Sequence, residues 1–72
     1  MKYKVLILNP ANNDFAWIRP GINFGRRKKY SSGAEPFAIE FESFEEAKAA
    51  IEYYRENYHA ENLNFYICVS QD

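Results

Sequence analysis

Four consecutive cations, Arg26, Arg27, Lys28 and Lys29, stand between the aromatic residues Phe24 and Tyr30. Such a run can neutralise phosphates while the flanking rings stack on bases. Arginine also offers paired donors that suit phosphate or carboxylate equally well. The same run serves as an ordinary solvated loop, so Arg26, Arg27, Lys28, Lys29 and Tyr30 form a candidate contact set for nucleic acid or for an acidic protein surface. A second constellation is Trp17 with Arg19, residue types that often anchor interfaces; the plainer alternative is a Trp that fills the core. A third is acidic: Glu45, Glu52 and Glu56 share one helical face near Glu42, with Tyr53 directed away from the apolar side. That face can meet an arginine-rich partner or simply solvate a helix.

Reaction chemistry finds little support. His59 and Cys68 are the only residues of their kinds, and no third group stands at a spacing that would make them a base and a nucleophile. His59 suits a helix C-terminus, and Cys68 an apolar strand. One cysteine permits no internal disulfide, and with one histidine it cannot make a Cys/His zinc site. Gly21, Gly25 and Gly33 do not open a helix, so there is no phosphate-cradling loop. The expectation is a non-enzymatic chain without cofactor or metal.

Charge is sorted along the chain. Residues 1–33 carry Lys2, Lys4, Arg19, Arg26, Arg27, Lys28 and Lys29 against Asp14, a net +6. Residues 34–72 hold nine acids against Lys48 and Arg55, a net −7. The total of −1 conceals this division. Segregated charge selects partners even where net charge does not, and a near-neutral total argues against a dedicated nucleic-acid domain.

The elements follow from pattern. Residues 2–8 form a first strand, and the turn formers from Asn9 to Asp14 end it in a hairpin. Residues 15–18 return, closed by Pro20-Gly21. Residues 19–36 read as a long exposed loop, and 37–41 alternate well enough for a short strand. Ser43-Phe44-Glu45-Glu46 has capping-box spacing and opens a helix over about 43–58. Phe44, Ala47, Ala50, Ile51, Tyr54 and Tyr58 make its apolar stripe, and Lys48 and Arg55 can each pair with Glu52. Residues 63–69 form the last strand. The order β-β-(β)-α-β predicts an α+β fold: one domain over 1–72, a two-layer sandwich with one helix on a three- to four-stranded, mostly antiparallel sheet.

One helix covers one face of a sheet, yet the strands are apolar on both. Tyr3, Val5 and Ile7 oppose Leu6 and Leu8; Phe65, Ile67 and Val69 oppose Tyr66 and Cys68. Thirteen aromatic residues also exceed what so short a chain can enclose. The second face must be met by the 19–36 segment, by a second copy of the chain, or by another protein. A homodimer through that face or through an edge strand is therefore expected alongside a partner protein. No run is long enough for a membrane span or a signal peptide, which points to the cytoplasm.

The stretch Ala38-Ile39-Glu40-Phe41-Glu42-Ser43-Phe44-Glu45-Glu46-Ala47 resembles the A-x-x-F-x-S-x-E-E-A pattern of many short phage- and prophage-encoded proteins. In those, a β-hairpin precedes the pattern and a helix and a strand follow it. The resemblance implies a small accessory protein, and some small phage proteins of this general size block host defence systems by binding them. It also implies that residues 38–41 form a loop or turn, and it transfers no functional residue.

Overall fold

The computed structural model describes residues 1–21 and 29–70. Strands β1 (Lys2–Asn9) and β2 (Asp14–Pro20) form a hairpin, followed by β3 (Tyr30–Gly33), helix α1 (Phe44–Asn57) and β4 (Asn64–Ser70). The sheet order is β3-β2-β1-β4, every pairing is antiparallel, and α1 packs on one face. The expected α+β sandwich is the architecture found.

The hairpin turn works through its asparagines. The Asn9 Oδ1 accepts from the Ala11 N–H and the Asn12 Oδ1 from the Asp14 N–H, each at 3.0 Å. Asn13 takes the left-handed conformation, φ 61°, that Asn tolerates best after Gly.

Two expectations need correction, and both concern the third strand. It lies at Tyr30–Gly33, inside the stretch read as a loop, where it pairs with β2 from Pro20↔Tyr30 to Trp17↔Gly33. Of the remainder, Arg19 and Pro20 belong to β2, a single 3₁₀ turn occupies Glu35–Phe37, and residues 22–28 lie outside the described residues. Residues 37–41, read as a short strand from their alternation and as a loop or turn from the resemblance, form no strand and make one isolated bridge. The reason is that β1 and β2 part beyond Leu6↔Trp17, and this segment wedges between them. Ile39 donates to the Ile18 carbonyl of β2, while Phe41 exchanges both bonds with Tyr3 of β1. Contacts divided between two strands build no ladder.

Helix α1 begins as its cap predicts. The Ser43 hydroxyl accepts from the Glu46 N–H at 3.1 Å. Glu46 reaches one residue further back than the standard box, accepting from the Glu42 N–H. The helix ends in a Schellman-type turn: His59 is left-handed, φ 52°, the Ala60 N–H donates to the Arg55 carbonyl, and Ala60 is buried. Ala47 and Ala50 are buried beneath the helix, and such small side chains let it settle close onto Val5, Ile7 and Ile18. Aromatic rings close the flanks, Tyr30 and Tyr53 toward β3 and Tyr54 against Phe65 of β4.

Candidate interaction surface

The pleat divides the sheet into two unlike faces. Val5, Ile7, Ile18 and, partly buried, Tyr3, Phe65 and Ile67 pack with the α1 core. The alternate residues Leu6, Leu8, Phe15, Trp17 and Tyr66 are brought together on the opposite face by the pairings Leu6↔Trp17, Leu8↔Phe15 and Leu6↔Tyr66. Among the described residues no α-helix covers them. Leu6, Leu8 and Trp17 are half-buried, whereas Phe15 is 67% and Tyr66 47% exposed.

The 3₁₀ turn roofs one end of this face. Its Glu35 carboxylate lies 3.7 Å from the Lys4 ammonium, and its Phe37 ring lies 4.8 Å from the Arg19 guanidinium. A recess between turn and strands is lined by Lys4, Trp17, Glu35 and Cys68. Phe37 itself is 61% exposed, so the roof extends the apolar surface instead of ending it. Part of the 19–36 stretch thus folds back as one of three expected covers, but only over the Lys4–Arg19 end.

The charged candidates fare differently. Arg26, Arg27 and Lys28 lie outside the described residues. Lys29 does not stand clear: its ammonium lies 4.7 Å from the Tyr53 ring centroid and 5.6 Å from that of Tyr30. Tyr30 is half-buried, edge-on to Phe41 and Tyr53, and its N–H donates to the Tyr58 hydroxyl. Burial, more than its tyrosine neighbours, raises the pKa of its phenol. A ring so engaged is poorly placed to stack on a base. Tyr53, expected to point toward solvent, instead joins this aromatic ridge, because β3 supplies Tyr30 to meet it.

The acidic face of α1 is present, with Glu45, Glu52 and Glu56 exposed. Arg55 lies over the Phe65 ring at 5.2 Å instead of pairing with Glu52. The two charge halves meet in space at β1, where Lys2 bonds Glu42 and Lys4 faces Glu35. The Lys2 hydrogen bond holds Glu42 below the usual carboxylate range, and the same bond raises Lys2.

His59 follows α1, whereas Cys68 lies opposite Lys4 on the sheet face turned away from that helix. Among the described residues no group of three or more His, Cys, Asp or Glu is placed to hold a metal ion. Among the same residues no helix is long and apolar enough to cross a membrane. Leu6, Leu8 and Tyr66 of this face were legible in the two-sided apolar pattern of β1 and β4, and Trp17 in its residue type, whereas Phe15 and Phe37 lie outside those strands and were not expected there.

No protein-family model, curated protein or solved structure matches the chain. The likeness of residues 38–47 to phage-encoded proteins therefore rests on those ten residues alone.

Proposed function

We propose that the chain is a non-enzymatic binding module whose partner is another protein, engaged through the open face of the sheet. The observation that carries this reading is the set of exposed rings, Phe15, Phe37 and Tyr66, around the half-buried Leu6, Leu8 and Trp17. Fully burying one such side chain contributes about 1.5–3 kcal/mol. A partner that covered the cluster would gain most of its affinity there, with Arg19, Lys4 and Glu35 at the polar rim. The action fitting a chain without a catalytic set is occlusion. In that role it is an inhibitor or regulator, of the kind phages and mobile elements carry, working in the cytoplasm of its host.

The test is capture of partners by the tagged wild-type chain and by a Phe15→Ser/Tyr66→Ser variant, both verified as folded. Proteins recovered by the wild type and lost from the variant support the reading. Equal recovery by both overturns it. Loss instead on neutralising Arg26, Arg27, Lys28 and Lys29, with binding to mixed-sequence nucleic acid that falls steeply with salt, would favour the nucleic-acid alternative.

A further inference from the structure

We infer that two copies of this chain join edge to edge through β4, in antiparallel register centred on Ile67, to make one continuous sheet. The inference does not rest on the open-face reading, because it uses the edge of the sheet and leaves that face uncovered.

The two edges of the sheet are unlike. The β3 edge is four residues long, ends in Gly33 and is preceded by Lys29. The β4 edge, Asn64–Ser70, is seven residues long and contains no charge, no proline and no glycine. Charge, proline, brevity and bulges are the usual devices that keep an edge from pairing, and β4 has none of the first three.

The direction of its free groups follows from β1. Tyr3 directs both its N–H and its C=O to Phe41, away from β4. Tyr3↔Val69 is therefore a pair without hydrogen bonds between them, and Val69 turns its backbone groups outward. By alternation Phe65 and Ile67 do the same. Around a two-fold axis at Ile67 these residues meet their own kind: Ile67 opposes Ile67, and Phe65 opposes Val69, each pair exchanging both bonds. On the helix side the strand side chains that meet, Phe65, Ile67 and Val69, are all apolar, with Arg55 over Phe65 beside them. On the other side Tyr66 opposes Cys68, and Asn64 opposes Ser70. No like charges meet at any strand position, and no other register with the same outward residues engages all three within the strand.

Exposure points to the same edge. Val69 is 64% exposed although it lies on the helix side of the sheet, and Phe44, packed edge-on to Tyr3, is 50% exposed. In the paired form a Phe65 ring from the second copy covers Val69. The occupant is thus a second copy, since the strand complements itself.

Sedimentation equilibrium of the full chain tests this. The expected mass is twice 8.5 kDa at tens of micromolar. Val69→Pro removes only an outward N–H, which the β1 ladder does not use. Val69→Lys places a charge on the edge through a side chain already exposed. Each should weaken dimerisation by at least about tenfold, with an unchanged far-ultraviolet spectrum, and Phe15→Ser should leave the dimer intact. A wild-type mass of 8.5 kDa at every concentration overturns the proposal. So does a dimer that survives Val69→Lys in the folded protein.

Discussion

Arg19 occupies the space that a side chain on Gly33 would fill. A Cβ on Gly33 would stand 2.5 Å from an Arg19 terminal nitrogen and 2.7 Å from its Cδ. The glycine lets the arginine cross β3 and reach the Phe37 ring, and so fixes the 3₁₀ turn on the open face. The arrangement has a cost, because the buried Arg19 Nε has no hydrogen-bond partner among the described residues. An unpaired buried donor costs about 1–3 kcal/mol, whereas an exposed cation–π contact returns about 0.5–1. Arg19→Met keeps the stem across Gly33 and removes the orphan donor. It should raise stability by about 1 kcal/mol in denaturant titration, and a loss of more than that would show that the guanidinium holds the turn.

His59 is a second position of local strain. It is exposed and left-handed at the residue after the α1 cap, where glycine is the common choice. The left-handed conformation costs a side chain about 1–2 kcal/mol, and glycine returns roughly half of that as chain entropy. His59→Gly should therefore stabilise the fold by about 0.5–1 kcal/mol, read as a higher denaturant midpoint at unchanged slope. A decrease would mean that the imidazole contributes more to the helix terminus than the backbone relief is worth.

These features also show what the sequence makes legible. The hairpin, α1 and β4 follow from local signals: asparagines at the turn, Ser43 at the cap, and Ala47, Ala50, Ile51 and Tyr54 on one helical side. The open sheet face follows from apolar residues of both parities in β1. Strand β3 does not, because Tyr-Ser-Ser-Gly has no apolar alternation and only Tyr30 in it favours a strand, so pairing with β2 is what makes it one. The same gap hid the Tyr53 environment, since the ring that meets it comes from β3. Charge sorting along the chain likewise became pairing in space once the Tyr3–Phe41 bridge brought residues 35–42 against Lys2 and Lys4.

The Ser43 cap makes a sharper prediction than its motif alone. Ser43 satisfies the Glu46 amide, while Glu46 satisfies the Glu42 amide and not that of Ser43. Ser43→Ala should cost about 1 kcal/mol, the usual value of an N-cap. Glu46→Gln retains the acceptor and should cost only a few tenths, the loss of a negative charge from the first helical turn. Thermal unfolding of both variants checks the order, and equal losses would mean that the two bonds act as one reciprocal unit.

The Lys2–Glu42 pair predicts how stability depends on pH. The folded-state pKa of Glu42 is depressed, first by the hydrogen bond from Lys2 and then by its charge. Its contribution is complete above the ordinary value of 4.5 and is lost as pH falls through the depressed one. Lys2 is raised by the same bond, so its contribution is complete below 10.5 and is lost as pH rises through the raised value. Between those limits the pair's effect is flat with pH. Both side chains are exposed, so added salt should reduce it. Melting curves of the wild type and Glu42→Gln should therefore run parallel through neutral pH and converge in acid, as pH falls below 4.5 and through the depressed Glu42 value. A separation that stays constant throughout the acid limb would show that Glu42 acts through packing and not through its charge.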